Sequence, residues 1–173
     1  MKKPFKWTEA VIARALVHQV FERAVAIVPN TTWTGHEVDL LVLHRPSLRV
    51  IDVEIKISRS DLKADLVKDK WWKRHHWKND VEGDGKRMRM WPDKVWKHYY
   101  ALPASIWHDS LGAGVPPNSG ILLLHEKRGV VSCSVLRRAK PCPDAASITP
   151  ATCLDIARLC TLRYWDLLKD QAC

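Results

Sequence analysis

The sequence lacks any run of about 20 apolar residues, the length that a helix needs to cross a membrane. Its N-terminal stretch, MKKPFKWTEA, leads into an interrupted amphipathic segment rather than the apolar centre of a signal peptide. We therefore expect a soluble, cytoplasmic protein with no membrane partner. Internal repeats and clear domain boundaries are also absent, so the 173 residues predict a single domain over 1–173.

Closely spaced cysteine pairs are missing as well. The chain has five cysteines, all in its last quarter, and none belongs to a Cys-x-x-Cys motif. This spacing argues against a zinc finger and against a regular disulfide framework, and it disfavours an iron–sulfur cluster. Reduced, mostly buried thiols are the default expectation for Cys133, Cys142, Cys153, Cys160 and Cys173.

Acidic residues are scarce relative to basic ones. The chain has 19 Asp and Glu against 28 Lys and Arg, a formal net charge of +9. Such a surplus favours an anionic partner, either nucleic acid or an acidic membrane surface. Because 46% of the residues are hydrophobic, the chain can bury a core, which argues against a largely disordered protein.

The most informative stretch is VIDVEIKISRSD, residues 50–61. Side chains of a strand alternate between its two faces, so Val53 and Ile55 point one way while Glu54 and Lys56 point the other. Carboxylates and amines are rarely buried without partners. Two explanations stay open, namely a salt bridge at a sheet edge and a metal site in which the carboxylate binds a cation and the lysine serves the chemistry.

Apolar periodicity predicts helices and strands on both sides of this stretch. Thr8 is expected to cap an amphipathic helix that runs as far as Pro29. The segment HEVDLLVLH, residues 36–44, predicts a strand, and the short link after it favours an antiparallel hairpin with a second strand at 48–57. If these strands pair, Asp39 and Glu54 project from one face within reach of one ion.

The rest of the chain, from Ser58 onward, predicts one more helix, three strands and a final helix. Ser58 is expected to cap a helix that reaches roughly Trp77. Thr149 followed by Pro150 is typical of a helix start, and that last helix is predicted to run to about Lys169. The three strands are predicted at 95–102, 120–125 and 130–138.

A basic, tryptophan-rich insertion, at about 71–96, separates the second helix from the third strand. Cations interleaved with aromatic rings suit single-stranded or distorted nucleic acid, although tryptophans more often cover a sheet. The residues predicted to contact nucleic acid, in the insertion and in the helix before it, are Arg59, Lys63, Lys70, Lys73, Arg74, Lys78, Arg87 and Arg89.

The order of elements, with Glu9 in the first helix, Asp39 in a strand and Glu54-x-Lys56 in the next, resembles the PD-(D/E)XK nuclease superfamily over roughly residues 8–125. The segments VEIKISRSDLKAD, HYYALP and GILLL are similar to the MmcB-like DNA-repair proteins and related phage or prophage proteins. Val38 stands where the superfamily has its name-giving proline. The resemblance implies an α/β, restriction-endonuclease-like αβββαβ core, a mixed central sheet flanked by helices, to which the insertion and a C-terminal helix are added.

The resemblance also implies an activity, that of a Mg²⁺-dependent deoxyribonuclease in DNA repair or phage DNA processing, inside a bacterial or phage-infected cell. Asp39 and Glu54 are then the principal Mg²⁺ ligands together with the Ile55 carbonyl, and Mn²⁺ is expected to substitute. Lys56 orients or helps to deprotonate the attacking water, and its pKa is either lowered by burial or kept high by the carboxylates. Glu9 binds a second metal or a water of the first.

Several alternatives stay open. The DNA substrate is either double-stranded, single-stranded or branched. The protein acts either as a monomer or as a homodimer. A catalytically silent nucleic-acid-binding module that recruits a partner on the same fold is the main competitor of the nuclease. A third hypothesis is a structural domain in which the charged residues are merely ion-paired.

Overall fold

The structure is a computed structural model, and it describes residues 5–67, 72–73, 88–89 and 94–171. Four of the predicted nucleic-acid contacts lie outside these residues, namely Lys70, Arg74, Lys78 and Arg87. For Lys73 and Arg89 the structure describes the backbone alone. Within the described residues, no helix is long and apolar enough to cross a membrane.

Three helices and eight strands make up the described part of the chain, together with two short 3-10 turns at Ala104–Ile106 and Asp109–Leu111. In chain order the helices and strands are α1 (Glu9–Gln19), β1 (Ala26–Thr31), β2 (Val38–His44), β3 (Arg49–Ile55), α2 (Arg59–Asp65), β4 (Trp72–Lys73), β5 (Met88–Arg89), β6 (Val95–Pro103), β7 (Gly120–Lys127), β8 (Val130–Arg137) and α3 (Pro150–Gln171).

Six of the strands form one mixed sheet in the order β1-β2-β3-β6-β7-β8. The first three strands are an antiparallel meander, and this confirms the predicted hairpin of β2 and β3. After α2, strand β6 joins parallel to β3, β7 joins parallel to β6, and β8 returns antiparallel to β7. The predicted mixed α/β architecture, with helices flanking the sheet, is confirmed.

The first helix is shorter than predicted. It ends at Gln19, and the residues from Ala26 to Thr31 form β1 instead of the last turns of a helix. The apolar positions in this segment also fit a strand. Val28 is completely buried in a cluster with residues of β2, β3 and α3. The β1–β2 ladder supplies the backbone hydrogen bonds that a helix would have made. Tertiary pairing therefore overrides the helical periodicity.

The second helix is also shorter than predicted, since it ends at Asp65 rather than near Trp77. Its last turn tightens, because the N–H of Val67 donates to the carbonyl of Ala64. The predicted caps are confirmed at both helices. Thr8 accepts from the N–H of Val11 at 3.2 Å, and Ser58 accepts from the N–H of Asp61 at 3.1 Å.

Helices cover both faces of the sheet and bury β3 between them. On one face, Ile12 and Leu16 of α1 pack against a cluster that includes Val53 and Ile55. On the other face, α2 contributes Leu62 to a second cluster and α3 contributes Ile156 to a third. This sandwich explains why the charged side chains of β3 are also buried, since the strand has no solvent-exposed face.

We predict that Ile156 anchors α3 to the sheet. Ile156 is completely buried, whereas Leu154 on the same helix is 73% exposed. The substitution Ile156→Ala is expected to lower the free energy of unfolding by about 2 to 5 kcal/mol, because it leaves a cavity under the helix. The matched change Leu154→Ala is expected to stay within about 1 kcal/mol, and urea denaturation measures both. Equal losses for the two variants would show that α3 does not depend on this contact.

Candidate active site

The site begins where the β2–β3 ladder ends. The last paired residues are Leu40 and Val53, so the register sets Asp39 opposite Glu54 one step further. There the Asp39 carboxylate replaces a ladder partner, because its Oδ2 accepts the N–H of Ile55 at 2.6 Å. The prediction that pairing brings Asp39 and Glu54 together on one face therefore agrees with the register.

The Lys56 ammonium lies at the centre of the site. It donates to Glu54 Oε2 at 2.7 Å and lies 3.4 Å from Asp65 Oδ1 and 3.7 Å from Asp39 Oδ2. The side chains of Lys56, Glu54 and Asp65 are at most 4% exposed, whereas that of Asp39 is 22% exposed. One buried cation is thus shared by three carboxylates, and only Asp39 among them reaches the surface.

Sequence reasoning missed two members of this network, Asp65 and Tyr100. Asp65 lies in the last turn of α2, and its Oδ2 accepts a hydrogen bond from the Tyr100 hydroxyl at 2.7 Å. Tyr100 lies beside Glu54 in the parallel β3–β6 pairing and is completely buried. A signal was present in the sequence, since Asp65 follows Leu62 by three residues and so shares the buried side of α2.

The carboxylates keep Lys56 protonated. Burial alone lowers the pKa of a lysine, but Glu54, Asp65 and Asp39 together outweigh it and raise the pKa of Lys56 above its ordinary value. This answers the question that the sequence left open. The pKa of Tyr100 is also raised, first by burial and then by the charge of Asp65, so its hydroxyl stays a hydrogen-bond donor.

The site perturbs the protonation of the Asp39 carboxylate. Burial and the charge of Glu54 raise its pKa to about 6, against the opposing effects of Lys56 and of the Ile55 N–H. Glu9 adds a smaller contribution of the same sign. An Asp39 that ionises near neutral pH is an unfavourable arrangement for a purely structural ion pair, and such shifts are common at functional sites.

A cleft of about 430 Å³ opens at this end of the sheet. Its wall includes the predicted residues Glu9, Asp39 and Ile55, and α3 contributes Arg163 and Asp166. Glu54 and Lys56 do not line the cleft; they lie behind Asp39 in the interior. The structure therefore brings the predicted residues together in two layers, one exposed to the cleft and one buried.

Arg163 is a further cleft residue that the sequence did not suggest. Its Nη2 donates to the carbonyl of Asn30 at 2.7 Å, and its Nη1 lies 3.7 Å from Asp166 Oδ2. Asn30 adopts a left-handed backbone with a φ of 47°, which L residues other than Asn and Asp rarely adopt. No local pattern links residue 163 to residue 30, so only the folded chain reveals this contact.

Two predicted nucleic-acid contacts are described in full, and neither lines the cleft. Arg59 and Lys63 are both exposed on α2. The Nε of Arg59 donates to the carbonyl of Ile106 at 2.8 Å, so part of this side chain ties α2 to the turn after β6. Their contact with nucleic acid stays a prediction.

The donor chemistry of the site suits a hard divalent cation. Two carboxylates, from Asp39 and Glu54, flank a peptide carbonyl at Ile55, and Mg²⁺ prefers oxygen ligands of this kind while it keeps several waters. Among the described residues, no group of three or more His, Cys, Asp or Glu side chains is already placed to hold a metal ion. The fit therefore rests on two carboxylates and the backbone, with Glu9 across the cleft as a further oxygen donor.

Comparison of the chain with protein-family models, with curated proteins and with solved structures yields no significant match. The resemblance to the PD-(D/E)XK nucleases thus depends on the order of elements and on the residues of the site.

We predict that Asp39 lowers the stability of the metal-free protein at neutral pH. Its pKa of about 6 exceeds the ordinary value of 3.8, so the folded state binds the proton more tightly and loses stability as the pH rises from about 4 to about 6. At pH 7 in EDTA, Asp39→Asn is expected to be more stable than the wild type by about 2 to 3 kcal/mol, and the difference disappears below pH ~4. Urea denaturation across this pH range measures it; a constant difference at every pH would contradict the linkage.

Removal of the central cation is expected to have the opposite effect. The substitution Lys56→Met keeps the shape of the side chain but leaves Glu54 and Asp65 buried without their cation. We expect a loss of about 3 to 5 kcal/mol in the free energy of unfolding at pH 7. Lys127→Met, which removes the same charge from an exposed position, is expected to change stability by less than about 0.5 kcal/mol. A similar, small effect for both variants would mean that Lys56 is not the centre of the network.

Proposed function

We propose that this protein is a Mg²⁺-dependent deoxyribonuclease that hydrolyses phosphodiester bonds in DNA repair or phage DNA processing. The observation that carries the proposal is the convergence of Asp39 and Glu54 on the Lys56 ammonium, directly behind a cleft that Asp39, Glu9 and Arg163 line. A net charge of +9 supports a polyanionic substrate.

The arrangement of the sheet supports the restriction-endonuclease-like core. The described elements α1, β1, β2, β3, α2 and β6 follow the αβββαβ order, when the short β4–β5 ladder is set aside. Glu9 lies in the first helix, and Asp39 and Glu54 lie on neighbouring strands, which supports the resemblance.

Asp39, Glu54 and the Ile55 carbonyl would hold a Mg²⁺ ion, which would supply charge stabilisation at the phosphate and help to activate the attacking water. The protein's own groups position the reactants. Lys56 stays cationic, so its role is to stabilise negative charge and orient water rather than to take a proton as a free amine. Asp65 and Tyr100 hold Lys56 in place from behind.

Arg163, which lines the same cleft as Asp39, also supports the proposal. Its guanidinium is 47% exposed at the cleft while one of its nitrogens is fixed by the Asn30 carbonyl. A guanidinium presents several donors in a planar fork that matches a phosphate, so a phosphodiester in this cleft would meet this cation as well as Asp39. When no phosphate is bound, the nearby Asp166 carboxylate partly neutralises the positive charge of Arg163.

A second candidate function is a nucleic-acid-binding module that does not cut. The observation that favours it is the short contact of Lys56 with Glu54, at 2.7 Å, which already neutralises one of the two principal carboxylates. A module of this kind binds DNA but needs no divalent cation. Calorimetric titration with Mn²⁺ separates the two, since the nuclease binds the ion through Asp39 and the module does not.

The direct test is cleavage of supercoiled, linear and single-stranded DNA with Mg²⁺ or Mn²⁺. We expect the wild type to cut at least one form, and Asp39→Asn and Lys56→Met to lose about 10²-fold or more in rate. Asp39→Asn is the more telling variant, because its expected gain in stability excludes unfolding as the cause.

The matched controls are Asp155→Asn and Lys127→Met, which alter exposed residues away from the cleft. They are expected to cut at the wild-type rate. Cleavage that survives both Asp39→Asn and Lys56→Met would overturn the assignment of the site. No cleavage of any DNA by the wild type, together with no heat of Mn²⁺ binding, would favour the module.

A further inference from the structure

At the end of the sheet opposite the cleft, basic and aromatic side chains gather around one indole. The Trp96 ring lies 4.2 Å from Lys97 Nζ and 5.9 Å from Arg49 Cζ, and the His44 ring lies 5.0 Å from it. Burial lowers the pKa of Lys97, and the positive charge of the nearby Arg138 lowers it further. We call these five residues the Trp96 surface.

A β-bulge builds this surface. Val50 pairs with Val95 and Ile51 pairs with Lys97, so Trp96 is the extra residue of β6. A bulge redirects side chains, and here it lets Trp96 pack against the α1-side core cluster while Lys97 extends over its ring. Arg49 of β3 is directly paired with His44 of β2, so the two residues lie side by side on neighbouring strands.

The cations of the Trp96 surface have no acidic counterpart within the described parts of the chain. No carboxylate there lies within ion-pair distance of Arg49, Lys97 or Arg138. Burial is the main cause of the lowered pKa of Lys97 and of His44, and repulsion adds to it, from Arg138 on Lys97 and from Lys97 on His44. An external polyanion relieves this repulsion, whereas nothing in the described fold does.

From this arrangement we infer that the Trp96 surface binds the sugar-phosphate backbone of nucleic acid, as a contact separate from the cleft. A fixed ring supports the stems of Arg49 and Lys97, so their charged ends are held in place before the partner arrives. A membrane fits less well. Trp96 is half-buried against the core, and none of the five residues is an exposed large apolar side chain available for insertion.

The distance between the Trp96 surface and the cleft indicates how much DNA the protein would contact. This estimate rests on the proposed function. Arg49 begins β3 and Ile55 ends it, so the surface and the cleft are about 20 Å apart at about 3.3 Å per residue. That distance corresponds to about six base pairs of duplex. A DNA bound at both places reaches about this far beyond the bond that is cut.

The test is DNA binding without cleavage. Fluorescence anisotropy with a labelled 30-base-pair duplex in EDTA, from 50 to 200 mM salt, compares the wild type with the double variant Arg49→Gln and Lys97→Gln. We expect about tenfold weaker binding at 100 mM salt, and a salt dependence reduced by about two phosphate contacts. Glutamine keeps most of the stem over Trp96, and thermal unfolding confirms that the variant is folded.

The matched control removes two exposed charges elsewhere, through Lys127→Gln and Arg158→Gln, and is expected to bind like the wild type. An equal loss in both double variants would overturn the inference, because it would reflect net charge alone. Flotation with anionic vesicles of phosphatidylcholine and phosphatidylserine is the other arm. Vesicle binding that depends on Arg49 and Lys97, with DNA binding unchanged, would equally overturn it.

The two proposals fail in different ways. If the wild type never cuts but the duplex binding in EDTA depends on Arg49 and Lys97, the nuclease assignment fails and the Trp96 surface stands. If the wild type cuts and binds the duplex independently of these residues, the nuclease stands and the surface does not.

Discussion

The buried Lys56 ammonium is the interaction on which the candidate site depends. It lies within 4 Å of carboxylates from β2, from β3 and from α2, so it joins two strands and a helix that follow one another in the chain. Through Asp65 the network continues to Tyr100 of β6. Ion pairs of this kind cost desolvation energy, and they hold together only while every member keeps its partners. The network therefore fixes the site's geometry more than it raises stability.

Asp39 is where that network meets the solvent, and its two roles conflict. Behind it, Glu54 repels its charge and burial disfavours it; in front of it, the cleft leaves it open to a ligand. A carboxylate in this position weakens the folded protein at neutral pH and gains a partner when a cation binds, because a bound cation favours the ionised form. A perturbed carboxylate of this kind is common at functional sites, and it supports the proposed metal site.

Local sequence patterns were sufficient for the parts of the molecule that local forces determine. The helix starts at Thr8 and Ser58 follow from capping, and the β2–β3 hairpin follows from two apolar runs with a short link. Periodicity failed between residues 20 and 31, because the same apolar positions fit a helix and a strand and only the pairing of β1 with β2 decides between them. The contact of Arg163 with Asn30 left no local signal. For Asp65 the spacing from Leu62 indicates a buried position, but no local pattern indicates Tyr100 as its partner.

The two ends of β3 carry opposite electrostatic characters, and this polarity links the candidate site to the rest of the sheet. Carboxylates outnumber cations around Ile55, whereas the described cations around Arg49 have no carboxylate beside them. A strand of seven residues holds both groups at a fixed separation, because it is paired with β2 on one side and with β6 on the other. Under the proposed function, a polyanion drawn to the basic end would meet, about 20 Å away, the acidic end that would hold a divalent cation at the phosphate. If the proposed contacts hold, the separation set by β3, rather than either cluster alone, determines how much of a nucleic acid they span.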